Sequence, residues 1–216
     1  MKMKQKLIAS AIALSSMAGF AVPAAHADVT ATVGAGNMYY WRGKDLGNGD
    51  ASVSGDLKYS ESGFYTGIWG GSGDAGSGTE YDIYGGYGGA VGDFKYDFSL
   101  WTYAYPKTGV ELAPGDLSEA VLMIGYGPVA ATYYKNIAGA SSYSYVTLAA
   151  TFDKFTVKYG QHTDNEDATI DGMAHVDLTY AFNDKVSFTI GKVVDDAGGN
   201  VNDEAKFVVG FTLPIE

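Results

Sequence analysis

Glu80, Asp82 and Tyr84 occupy alternate positions of one short segment, so an extended backbone puts all three on one face. Carboxylates on such a face can accept from a guanidinium. Arg42 is the matching cation, in the run Tyr39-Tyr40-Trp41-Arg42-Gly43. An unpaired charge in a narrow interior is costly, so Arg42 is expected to pair with interior carboxylates. Asp56 with Lys58, Asp97, Glu119, Lys158 and Asp177 complete the candidate set.

Other chemistries find little support. The chain has no cysteine, which removes disulfides, thiolate metal sites and thiol nucleophiles. Gly71-Ser72-Gly73-Asp74-Ala75-Gly76 matches G-x-G-x-x-G, but a strand rather than a helix follows, so it reads as a loop and not a dinucleotide site. Neither G-x-S-x-G nor H-E-x-x-H occurs. The histidines are His26, His162 and His175, and no enzyme is expected. Asp164, Glu166, Asp167 and Asp171 supply oxygens for calcium without the EF-hand order. No cofactor is expected. Net charge is -11 with no basic run, which speaks against nucleic acid as a partner.

These residues need elements to position them. Lys2, Lys4 and Lys6 precede an uncharged apolar run, Leu7 to Phe20, then Pro23 and Ala25-His26-Ala27. That reads as a cleaved secretory signal peptide over 1–27; a membrane-anchoring helix is the alternative. No other run approaches the roughly 18 apolar residues of a spanning helix.

From residue 28 onward, period-2 alternation recurs. Segment 51–60 sets Ala51, Val53, Gly55, Leu57 and Tyr59 against Ser52, Ser54, Asp56, Lys58 and Ser60. Segment 174–182 sets Ala174, Val176, Leu178, Tyr180 and Phe182 against His175, Asp177 and Thr179. Twelve strands are expected, near 29–42, 51–60, 63–71, 80–88, 93–105, 118–127, 129–137, 143–153, 155–163, 173–182, 185–193 and 205–215. Connections alternate between tight turns and longer polar loops. Strands of about nine to eleven residues, short turns at one end and longer loops at the other describe an up-and-down outer-membrane β-barrel. The expected fold is therefore an all-β antiparallel barrel of one domain over 28–216.

Tyr59, Tyr87, Phe94, Tyr126, Phe152, Phe155, Phe182 and Phe188 lie near the tight turns; Tyr39, Trp41, Trp69, Tyr103, Tyr105 and Tyr143 lie toward the long loops. Two such bands read as interfacial girdles. A secreted soluble β-sandwich also alternates and is the competing fold. If the apolar faces meet lipid, the inward set is Arg42, Asp56, Lys58, Glu80, Asp82, Tyr84, Lys95, Asp97, Glu119, Lys158, His175, Asp177 and Lys206. Both signs inside suit a narrow water-filled channel, or a lumen filled by paired side chains. Acidic loops, with Asp195, Asp196, Asp203 and Glu204 joining the 164–171 group, point to a cation-leaning mouth, or to carboxylates bridged to lipopolysaccharide.

Tyr39-Tyr40-Trp41-Arg42-Gly43, Gly63-Phe64-Tyr65-Thr66-Gly67-Ile68-Trp69, Glu80-Tyr81-Asp82-Ile83-Tyr84-Gly85-Gly86-Tyr87 and Tyr103-Ala104-Tyr105-Pro106 resemble the TorF porin family of proteobacterial outer-membrane proteins. The resemblance covers the first half of the exported chain by motif and the second by strand rhythm. It implies an outer-membrane pore. Gly210-Phe211-Thr212-Leu213-Pro214-Ile215 resembles the C-terminal signal read by the barrel-insertion machinery, though Pro214 and a final Glu216 depart from it. The expected function is passive diffusion of small, cation-leaning solutes across the outer membrane. A non-conducting structural or adhesive barrel with a filled lumen is the alternative. Expected partners are lipid, lipopolysaccharide, the insertion machinery and small solutes.

Overall fold

A computed structural model describes residues 27–139, 141–164, 167, 170–198 and 201–215. Nearly all of the expected signal segment, including Lys2 to Phe20 and His26, lies outside the described residues, as does Glu166.

The chain forms β1 (Asp28–Gly36), β2 (Tyr40–Trp41), β3 (Lys44–Asp45), β4 (Ser52–Glu61), β5 (Phe64–Asp74), β6 (Gly78–Val91) and β7 (Phe94–Ala104). It continues through β8 (Ser118–Tyr126), β9 (Val129–Asn136), β10 (Ser144–Phe152), β11 (Phe155–Thr163), β12 (Ala174–Ala181), β13 (Val186–Asp195) and β14 (Lys206–Ile215). Twelve of these strands close into one antiparallel barrel, and β2 with β3 makes a separate two-stranded hairpin. β1 pairs with β4 on one side and with β14 on the other, so the first and last strands seal the cylinder (Val33 opposite Leu213, Ala35 opposite Phe211).

Alternation decides which side chains face out. Val29, Val53, Leu57, Ile68, Ile83, Leu100, Leu122, Leu148, Val157, Leu178, Ile190 and Phe207 are all exposed on the outer wall. Such an apolar exterior is unfavourable in water and suits lipid, and closure leaves no open sheet edge there. No helix among the described residues is long and apolar enough to cross a membrane.

Four of the tight connections are two-residue turns, as Glu61 opposite Phe64, Val91 opposite Phe94, Tyr126 opposite Val129 and Phe152 opposite Phe155 define them. Ser62, Gly63, Gly127 and Asp153 take positive φ there, the twist that a hairpin between right-twisted strands requires. Phe64, Phe94, Tyr126, Phe152, Phe155 and Phe182 are exposed around this end, giving the expected aromatic band.

Three expectations are corrected. The first barrel strand ends at Gly36, not near residue 42, and the aromatic run belongs to the separate hairpin. The second girdle is not assembled from the residues assigned to it: Tyr39 and Tyr143 are buried in the lumen, and Trp41, Trp69, Tyr103 and Tyr105 are only partly exposed. Finally, the glycine-rich 72–79 stretch is mostly strand, with β5 and β6 running on to Asp74 and Gly78 and the Asp74 carboxylate capping the turn at the Ser77 amide.

Candidate functional site

Segment 37–51 leaves the end of β1 and turns back into the barrel. Its tip is a tight β2–β3 turn in which Arg42 (φ 46) and Gly43 (φ 89) both take left-handed conformations. A side chain at 43 would also strike the His175 ring, so glycine serves both the turn and the close approach. The hairpin projects Arg42 across the lumen, where it is only 3% exposed.

Arg42 Nη1 and Nη2 donate to Glu119 Oε1 and Oε2 at 2.9 and 2.7 Å, a bidentate pair. Glu119 stands at the start of β8 and also accepts from the Tyr103 hydroxyl at 2.7 Å. Arg42 Nη1 further donates to the Tyr143 hydroxyl at 2.9 Å. His162 Nε2 lies 2.8 Å from the Arg42 carbonyl and Nδ1 lies 3.0 Å from Tyr143 Oη. A carbonyl only accepts, so His162 donates from Nε2 and accepts the Tyr143 proton at Nδ1. The ring Arg42–Tyr143–His162 therefore closes on Arg42's own backbone. Tyr134 and Tyr145 flank the guanidinium, whose Cζ lies 4.4 and 4.9 Å from their ring centroids.

Tyr40 anchors the hairpin on the opposite wall. Its hydroxyl donates to Asp177 Oδ1 at 2.6 Å, and Lys158 Nζ pairs with Asp177 Oδ2 at 2.9 Å. His175 Nδ1 lies 2.9 Å from Asp177 Oδ1, and His175 Nε2 lies 2.7 Å from the Tyr145 hydroxyl. The carboxylate accepts a hydrogen bond from Nδ1–H, and Tyr145 donates to Nε2. Gly191 on β13 is the seat of the Tyr40 hydroxyl, where any Cβ would overlap it. From the other side, Tyr39 and Tyr105 donate to Glu80, the latter at 2.7 Å. Burial first, then the charge of Glu80, pushes both phenols well above their ordinary value, which keeps them donors. Met173, from the connection after β11, is fully buried, and its carbonyl accepts from the His162 amide.

Below the hairpin Asp56, Lys58 and Asp97 are only partly buried. Tyr84 donates to both Asp56 oxygens at 2.7 and 2.8 Å, and Tyr65 does the same to Asp97. Lys58 Nζ sits 4.3 Å over the Tyr65 ring.

Among the predicted site residues, Asp56, Lys58, Glu80, Asp82, Tyr84, Asp97, Glu119, Lys158 and Asp177 lie on inward positions of the barrel strands. Arg42 is the exception: it belongs to the hairpin inside the barrel rather than to a strand. Its carboxylate partner is Glu119. Tyr40, Tyr103, Tyr143, Tyr145 and His162 were not singled out as interior residues by the sequence. Phase could have revealed two of them: Tyr103 is in register with Asp97 and Ser99, and Tyr145 with Thr147. In the 164–171 stretch the Asp164 amide donates to Asp171 Oδ1 at 3.0 Å. No group of three or more His, Asp or Glu side chains converges as a metal site among the described residues.

Residues 20–200 match the model of a bacterial protein family of unknown function, Gcw_chp. The chain is a member of the Gcw_chp family. The matched stretch takes in the whole Gcw_chp hairpin and eleven of the twelve barrel strands, all but β14. No curated protein matches this Gcw_chp chain.

Proposed function

We propose that this protein is an outer-membrane channel for small solutes, cation-leaning, whose outer half is stoppered by the 37–51 hairpin. The observation that carries the reading is the pairing of an apolar outer wall with a polar, charged inner wall in one closed twelve-stranded cylinder. Lipid solvates the first, and water and ions solvate the second. The resemblance to TorF porins and the export-type N-terminus support the same location. Carboxylates outnumber cations in the outer lumen: Glu80, Asp82, Glu119 and Asp177 face Arg42 and Lys158. That excess favours cations over anions. Passage requires the hairpin to leave its seat, because Arg42, Tyr40 and Tyr39 stand in the way.

A second reading, a non-conducting barrel that scaffolds its loops, is favoured by the complete burial of Met173, His162 and His175. Planar-bilayer recording of the refolded full chain separates the two. Brief, cation-selective openings support the channel, and silence in wild type and in hairpin-loosened variants alike supports the scaffold.

A further inference from the structure

Glu80 and Asp82 face the lumen two residues apart on β6, and each is at most 5% exposed. The ion pairs of the lumen are committed elsewhere: Arg42 lies on Glu119, and Lys158 and His175 lie on Asp177. Neither Glu80 nor Asp82 has an ion-pair partner among the described residues. Glu80 receives the Tyr39 and Tyr105 hydroxyls, whereas Asp82 Oδ1 receives no donor and its carboxyl lies against that of Glu80. An unpartnered carboxylate oxygen this deeply buried, beside a second carboxylate, is expensive unless a cation joins the pair or the two share a proton.

We infer that Glu80 and Asp82 form a binding site for a small monovalent cation, of the size of sodium or potassium, directly beneath the Tyr39 and Tyr105 phenols. Carboxylate oxygens are hard ligands, and each donating phenol keeps a lone pair that can complete the shell. A calcium cage needs six to eight oxygens and is not favoured, since no third acidic or histidine side chain converges there among the described residues. Asp56 lies on the same wall one step further in, held by Tyr84 on the same strand as Asp82. A cation leaving Asp82 therefore meets the next carboxylate on the way to the turn end. This names the ion of the channel reading and rests on it for the route in, whereas binding itself requires no conduction.

The test uses the refolded full chain in neutral detergent micelles, with unfolding followed by near-UV circular dichroism. Sodium, potassium and N-methylglucamine chlorides are compared at equal ionic strength. The midpoint in sodium or potassium should exceed that in the bulky cation by about 3 °C or more, as expected for a ligand that binds only the folded state. Asp82→Asn and Glu80→Gln should each abolish the difference, while Asp184→Asn in the loop between β12 and β13 should keep it. No difference in wild type overturns the proposal, and so does a difference that survives Asp82→Asn or vanishes with the loop variant. Stabilisation by acid without any cation dependence assigns the pair a shared proton and also overturns it. A barrel that is silent in bilayers yet keeps the cation difference retains the site and loses only the channel.

Discussion

Arg42 and Glu119, 77 residues apart in sequence, meet as a bidentate ion pair in the barrel lumen, both nearly inaccessible to water. The pair ties a hairpin that belongs to no barrel strand onto the wall at β8. Removing one partner strands the other charge in a low-dielectric interior, at about 3–5 kcal/mol. Arg42→Ala should therefore lower stability by that order in equilibrium unfolding, and Glu119→Gln in the same chain should recover part of it. Equal stability of Arg42→Ala and wild type would contradict the latch.

Tyr40 reaches Asp177 only because Gly191 leaves room for its hydroxyl. Gly191→Ala forces the ring off its seat and should cost about 1–3 kcal/mol, the usual range for overpacking. Tyr40→Phe should relieve little of that cost, because the ring still fills the space. Unfolding midpoints of the single and double variants check this; an unperturbed Gly191→Ala barrel would place Tyr40 elsewhere.

Leu148 lies at the middle of β10 on the exposed apolar wall. In a lipid-embedded barrel, Leu148→Arg should destabilise by about 2–4 kcal/mol in liposomes. Ala130→Ser, on the inward face of β9, should leave stability unchanged within error. A neutral Leu148→Arg would argue that this wall faces water.

The phenols of Tyr39 and Tyr105 lie in segments between the barrel strands, and both are pushed above their ordinary value by burial and then by Glu80. In the unfolded chain they ionise near pH 10. Above that pH the unfolded state holds fewer protons than the folded state, so stability falls as pH rises. Thermal midpoints should drop as pH rises past about 10, less steeply in a Tyr39→Phe, Tyr105→Phe double variant. An identical drop in both would remove these phenols as its source.

Strand order and facing were legible because the side-chain period is two and one face is apolar: Val53, Leu57 and Tyr59 against Ser54, Asp56 and Lys58 admit one arrangement. Arg42's pairing with a lumen carboxylate followed from charge cost alone. The inward hairpin was not legible, because Tyr39-Tyr40-Trp41 reads as a continuation of β1. The signals against that reading were local: three adjacent aromatics break alternation, Arg42-Gly43 can make a left-handed turn, and Gly47-Asn48-Gly49 punctuates the return. Tyr143 and Tyr103 were misplaced in a girdle because nearness to a strand end says nothing of face. Which wall residue the arginine meets is a matter of three-dimensional distance and has no signature along the chain.

The most direct test of the stoppered-channel account is single-channel recording with ion substitution, comparing wild type with a Tyr40→Phe, Arg42→Ala variant. Wild type should show rare, small, cation-selective openings, and the variant should be open far more of the time with the same selectivity. A wild type that is steadily open or anion-selective, or a variant that behaves as wild type does, would contradict it.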